Sequence, residues 1–441
     1  MILRRLIAIG LVVLSPLAVC EAQEREIKVR GDKKRVEGDG YWIYNDLPVG
    51  IERAKDSRKP LLVVFRCVPC EACAQLDEQV VERDPGVREL LDKFVCVRIV
   101  HANGMDLSLF QFDYDQSWAA FFMNADMTIY GRYGTRSHQT ESKDDVSLEA
   151  FSKALSGALE LHAQFPKYKA ALAAKRGPAA DIKVPEQFPS LKGKYGAKLD
   201  YEGKVVQSCI HCHQVGEAQR LTARTAGQPI SERVLYPYPN PKALGLFLDP
   251  QEKAQVKQLT AGSSAERDGF RVGDEILSLA GQPLLSIADM QWVLHHSGET
   301  AQLAAEVLRG GQKQSLTLTL KQGWRQRDDI SWRATSWDLR RMTLGGLLLE
   351  SLPEGTLRER KLPSDQLALR VKHVGQYNDH AVAKRAGFLK DDIVIAVDGD
   401  RSPLTESGLM AKLLRSKRPT DKITVTVLRG MQRLDLQFAQ Q

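Results

Sequence analysis

Leu61 to Ala74 reads LLVVFRCVPCEACA: five apolar residues, four of them aliphatic, run into three cysteines, Cys67, Cys70 and Cys73, spaced three apart. The run suits a strand buried on both faces, and Arg66 to Pro69 break it before Glu71 to Glu82 takes up helical spacing. A strand, a tight loop and a helix start are expected in that order. At a helix start the backbone N–H groups and the macrodipole favour anions, so a cysteine there loses its proton more readily and becomes the better nucleophile. Cys70 has that position. A redox site, a structural disulfide and a zinc corner are all compatible with these residues, the last needing a fourth ligand.

The pair Cys70-Glu71-Ala72-Cys73, five residues after Phe65, resembles the active motif of thioredoxin-like proteins. Glu71 to Val100, EACAQLDEQVVERDPGVRELLDKFVCVRIV, is similar to the helix, the Asp-Pro break and the next strand of members that act outside the cytosol. The resemblance implies an α/β thioredoxin-like domain over 41–165, with Cys70 attacking, Cys73 resolving and Cys67 as a third redox partner. Val64 stands where thioredoxins keep a buried aspartate, and Ser117 where they keep a proline. The charged stretch Gly31 to Gly40 is expected to be a flexible lead-in. Val49 to Lys55 reads as a short helix and Ser147 to Leu161 as the domain's last helix. His101 follows the strand beyond Cys96 and is a candidate neighbour of the site, whereas His138 and His162 read as surface residues.

Residues 1–22 read as a secretory signal peptide: Arg4 and Arg5, an apolar run from Leu6 to Leu14, then Cys20-Glu21-Ala22 at the cleavage position. No other stretch is apolar over a membrane-spanning length. Export fits the cysteines, five of which lie in two tight clusters, a pattern of chemistry rather than of a scattered disulfide framework. The 62 basic and 55 acidic residues interleave without a basic block, which speaks against nucleic-acid binding despite a net charge of +7. A chain of 441 residues with 43% hydrophobic content calls for several domains.

From 166 to 242 prolines recur and periodicity fades, so an irregular linker is expected there. Inside it Cys209-Ile210-His211-Cys212-His213 has the Cys-x-x-Cys-His spacing that attaches a c-type haem, with His213 reaching the metal. The same residues suit a zinc knuckle of Cys209, Cys212, His213 and His211, or a second dithiol.

The last third is an internal repeat: Ser264 to Leu284 parallels Ala381 to Leu404, and each copy continues through a helical stretch to Leu-Arg-Gly, at 308–310 and 428–430. Gly269-Phe270 with Gly273-Asp274-Glu275-Ile276 resembles PDZ domains, and the second copy keeps Gly387-Phe388 and Asp392-Ile393 with Asp391 in place of the glycine. The resemblance implies mostly β PDZ-like domains at 243–322 and 340–439 that bind peptides as added strands. Leu244-Gly245-Leu246-Phe247 and Leu344-Gly345-Gly346-Leu347 are the candidate carboxylate loops, with His295 or Leu413 selecting a peptide side chain. The bland reading is that these glycines only make turns. Trp324, Trp332 and Trp337 read as an inter-domain core.

No Gly-x-Ser-Gly nucleophile or His-Glu-x-x-His helix accompanies the repeat, so proteolysis is not expected. The order of parts resembles a bacterial fusion family some of whose members carry selenocysteine at the nucleophile position, here Cys70. The expected function is thiol–disulfide exchange outside the cytosol, with protein clients or peptides held by the PDZ modules. A non-catalytic scaffold and a haem-linked electron-transfer protein are the alternatives.

Overall fold

The structure, a computed structural model, describes residues 16–68, 84–116, 118–136, 145–228, 230–333 and 335–441, with side chains from residue 23 onward. The first unit is a five-stranded sheet in the order β1-β3-β2-β4-β5, built from β1 (Ile43–Tyr44), β2 (Leu61–Arg66), β3 (Val95–Ile99), β4 (Trp118–Met123) and β5 (Ile129–Tyr133). β2 is the buried central strand that its composition demands: it runs parallel to β3 and antiparallel to β4, and all six of its residues are buried. Among the described residues, helices packed against the sheet include α1 (Pro16–Asp39), α2 (Leu47–Ser57), α3 (Pro85–Leu91) and α4 (Leu148–Ala163). Their starts follow sequence rules. Asp46, Asp84 and Ser147 each accept the N–H three residues on, and proline follows at the first or second position of α2 and α3.

The lead-in is the first correction. Gly31 to Gly40 is not a flexible tether, because residues 31–39 lie in α1 and Asp32 is buried there against Arg98 of β3 at 2.7 Å. A buried arginine on a central strand requires a counter-charge, and α1 supplies it.

Residues 166–242 are the second correction. They hold most of α5 (Phe165–Ala173) and all of α6 (Cys212–Thr225), and Phe188, Leu191, Ile210, Val215 and Ala218 complete the apolar cluster around Phe65, Phe110 and Phe121. Proline and glycine punctuation removed the periodic signal while leaving enough spaced apolar residues to pack.

The C-terminal repeat forms two units. The first has β6 (Leu246–Leu248) paired with β7 (Val256–Leu259), and a sheet of β8 (Glu275–Leu279), β9 (Gln282–Pro283), β10 (Ala301–Arg309) and β11 (Gln312–Leu320), with helix α7 (Ile287–His296). The second has α8 (Ser336–Leu344), then β12 (Leu347–Ser351), β13 (Leu369–Val374), β14 (Ile393–Val397), β15 (Lys422–Arg429) and β16 (Gln432–Ala439) in one sheet, with α9 (Glu406–Ser416). The recurring motif residues make the same bonds in both copies. Arg309 pairs with Asp274 at 2.7 Å and bonds the carbonyl of Gly269; Arg429 pairs with Asp392 at 2.8 Å and bonds the carbonyl of Gly387. Asp391, which replaces the glycine, takes the left-handed conformation at φ 70° that aspartate tolerates.

The tryptophans do not make one cluster. Trp324 is in the core of the first unit, Trp337 stands edge-on to His373, and Trp332 lies beneath the guanidinium of Arg333. The segment between the two units is instead tied to the five-stranded first unit by buried charged groups: Arg333 donates to Asp113 at 2.7 Å, and Thr335 to Asp115 at 3.0 Å.

Candidate functional site

The end of β2 delivers Cys67 to the rim of the sheet, where its side chain is partly exposed. Arg66 turns back to bond the Cys67 carbonyl, fixing the departure of the chain. Cys70 and Cys73 lie outside the described residues, as do Ser117 and His138. Val64 is buried on β2.

Against this rim stands the Cys-x-x-Cys-His stretch, brought there by Asn103. The Asn103 side chain donates to the carbonyls of Gly196 (2.7 Å) and Ser208 (2.9 Å) and accepts the Ile210 N–H (2.8 Å), while the Ala102 N–H bonds the Ile210 carbonyl (2.8 Å). Ile210 is thereby stitched to the loop after β3 and buried in the thioredoxin-like core. His211 caps α6, its N–H held by the Gln214 side chain at 2.8 Å, so that Cys212 opens the helix. Nδ1 of His211 then lies 3.4 Å from Sγ of Cys67. His211 stacks on His213, ring centres 5.7 Å apart, and His213 Nδ1 meets Glu217 at 3.2 Å.

Burial sets the electrostatics. It pushes the Cys209 thiol up to about 12, helped by the nearby Cys67, and raises Cys212 as well, with Cys67 and Cys209 adding to the effect. It pushes His211 down to about 4, with His213 and Arg25 contributing. Burial also opposes protonation of His213, yet the hydrogen bond and charge of Glu217 outweigh it and the pKa is raised. His101 heads the loop that holds Ile210 and is partly buried, and desolvation pushes it down to about 4. Cys67, Cys96, Cys209 and Cys212 carry thiols and no disulfide joins them.

Cys212 packs, partly buried, against the core cluster, and the start of α6 meets Cys67 through His211. A cavity of about 640 Å³ opens on a different stretch of α6, along Gly216, Gln219, Arg220 and Ala223. Among the described residues no group of three or more histidine, cysteine or acidic side chains is arranged to hold a metal, His213 included.

The two candidate peptide loops differ. In the first, a turn at Pro241–Leu244 leads into Gly245 at φ 78°, and a Cβ there would fall 2.2 Å from Ser263. Leu244 and Leu246 point into the core, Phe247 is partly exposed, and among the described strands β6 pairs on one side only, with β7. His295 is already engaged: it accepts the Tyr238 N–H at 3.2 Å and stacks on the Tyr238 ring at 4.1 Å. In the second loop Leu344 and Leu347 are buried, Gly345 and Gly346 have positive φ, and the Gly346 N–H caps α8 on the Arg340 carbonyl. The Leu349 N–H on β12 is taken at 2.7 Å by Glu406 of α9, which Arg340 holds in turn. Leu413 is core. In the second copy one backbone donor of the outer strand β12 is therefore already held by a side chain of the chain itself.

Two family profiles match this architecture, one described as thioredoxin-like over residues 42–125 and one as a PDZ domain over residues 242–320. The chain joins a thioredoxin-like domain to a PDZ domain. Among curated relatives, the periplasmic pH-dependent serine endoprotease DegQ of Escherichia coli is 26% identical over 183 residues, 42% of this chain and 35% of that protein. A probable periplasmic serine endoprotease, DegP-like, of Pseudomonas savastanoi pv. phaseolicola is 36% identical over 73 residues, 17% of this chain and 15% of that one. The chain thus spans about a third or less of these relatives. The HtrA3 PDZ domain bound to a phage-derived ligand is 21% identical, with 22% of this chain and 82% of that one covered at a TM-score of 0.17. The thioredoxin-like domain carries Cys67 just past β2, and the PDZ domain carries the loop at Gly245 on the way into β6.

Asn103, which the sequence did not single out, positions the second cysteine motif, and His211, read in the sequence only as a zinc-knuckle ligand, touches Cys67. The bare spacing of Cys-x-x-Cys-His pointed to His213 and gave no signal for a partner from another domain.

Proposed function

We propose that this protein exchanges thiols and disulfides with protein clients outside the cytosol, Cys70 attacking and Cys73 resolving, while the PDZ domain holds a client segment nearby. The observation that carries the reading is the convergence of the cysteine motifs: Cys67, three residues before the expected nucleophile, stands 3.4 Å from the histidine that separates Cys209 from Cys212. A thiol at the end of a buried thioredoxin-like strand, partly exposed and beside another dithiol, suits transfer of a disulfide between partners. Client docking has a chemical basis in β6, whose second edge offers backbone N–H and C=O groups to an added strand. Export is supported by the leader-like residues 1–22 and by the periplasmic relatives, and no helix among the described residues is long and apolar enough to cross a membrane.

The deciding assay is reduction of insulin disulfides by full-length protein in the presence of dithiothreitol. Wild type is expected to speed insulin precipitation and Cys70→Ser to lose that activity. Equal rates for the two would leave a docking protein without exchange chemistry.

A further inference from the structure

We propose that Cys67 and the Cys209–Cys212 pair form one exchange centre, passing through a Cys67–Cys209 disulfide that couples the start of α6 to the thioredoxin-like site. This rests on the thiol-exchange reading above.

The placement is built. β2 fixes Cys67 from one side, and Asn103, with its bonds to Ser208 and Ile210, fixes Cys209 from the other. Both cysteines retain some exposure, so each can be reached by a client and by the other. Cys96, the remaining described thiol, is buried with its sulfur on the Leu91 carbonyl and takes no part. Cys-x-x-Cys spacing where a loop enters a helix lets Cys209 and Cys212 close on each other, and His211 between them stands 3.4 Å from the Cys67 sulfur.

The chemistry balances within the chain and one client disulfide. A client disulfide takes two electrons and two protons from the Cys209 and Cys212 thiols and leaves them joined. The Cys67 thiolate then attacks the Cys209 sulfur: the Cys67–Cys209 bond forms, the Cys209–Cys212 bond breaks, and Cys212 leaves with the electron pair and takes up a proton, matching the one Cys67 gave up. Each step runs in reverse when the client is a dithiol.

Replacing Cys212 removes the leaving and resolving sulfur, so a small disulfide such as oxidised glutathione loads one of Cys67 and Cys209, and the other displaces the glutathione thiol. Full-length Cys212→Ser, and Cys212→Ala as a second form in case one folds poorly, would be treated with oxidised glutathione, blocked with an alkylating agent and digested without reductant. The expected product is a linked peptide pair containing Cys67 and Cys209, in most of the molecules and absent when Cys67→Ser is added. Cys209 recovered only as a glutathione adduct or alkylated thiol, with Cys70-dependent insulin reduction intact in wild type, overturns the coupling and leaves the exchange reading standing. Insulin reduction indifferent to Cys70→Ser overturns that reading and this inference with it.

Discussion

Asp289 on α7 of the PDZ domain and Lys175, just past α5, form an ion pair of 2.8 Å in which the side chains are 0% and 1% exposed. The same carboxylate accepts the N–H groups of Leu285 (2.9 Å) and of Arg132 on β5 (3.1 Å), so one side chain ties the PDZ helix to the thioredoxin-like sheet. Trp292, one turn on, donates to the carbonyl of Ala174 at 3.1 Å. The two domains meet along this helix.

Asp289→Ala strands a buried ammonium and two backbone donors, and its cost is expected at about 3–5 kcal/mol. Asp289→Leu with Lys175→Met removes the charge pair together and should recover part of that loss. Urea unfolding of the single and double variants checks both; a single-variant loss below about 1 kcal/mol would show the pair to be incidental.

Glu406→Ala should loosen the second PDZ-like unit. It deprives Leu349 of its acceptor and Arg340 of its partner, both in a buried setting, for an expected loss of about 3–5 kcal/mol. Amide hydrogen exchange at Leu349 should accelerate sharply, while β6 in the first unit keeps its rate. Unchanged protection at Leu349 would mean that the carboxylate is not what closes this edge.

Thiol reactivity is expected to be uneven. Burial pushes Cys96 and Cys209 each up to about 12. At pH 7.5 their thiolate fractions are then on the order of 10⁻⁴ to 10⁻⁵, against about a tenth for an ordinary cysteine. Iodoacetamide labelling followed by peptide mass mapping should find both slow in native protein and fast in urea. Labelling of Cys209 at the unfolded rate in native protein would contradict this environment.

Asp328 gives a pH signature. Burial pushes its pKa from 3.8 to about 7, against the opposing pull of Arg333 and of the Asn240 N–H at 3.2 Å. The folded state therefore holds this proton more tightly than the unfolded chain. Its contribution is complete below about pH 4 and is lost as pH rises through about 7. Thermal unfolding midpoints of Asp328→Asn should fall less steeply than wild type between pH 5 and 8. Parallel curves would exclude Asp328 as the titrating group.

Much of this protein is written in short windows of its sequence. LLVVFR is apolar on both faces and became the central strand; Asp46, Asp84 and Ser147 are capping residues and start helices. The repeated Gly-Phe, Asp-x-Ile or Asp-Ile, and Leu-Arg-Gly motifs announced two copies of one fold. That Arg309 and Arg429 are in the motif because each clamps its own aspartate needed coordinates.

Local patterns determine strands, caps and repeats because the forces behind them act between residues a few positions apart. Tertiary structure alone decided that the lead-in is a helix anchored by Asp32 on Arg98, that 166–242 is packed, and that Glu406 takes the Leu349 N–H. It alone set Cys67 against His211, 144 positions apart in the chain, because that meeting depends on Ile210 finding room in a core assembled from β1 to β5, α2, the loop after β3 and the stretch around Phe188.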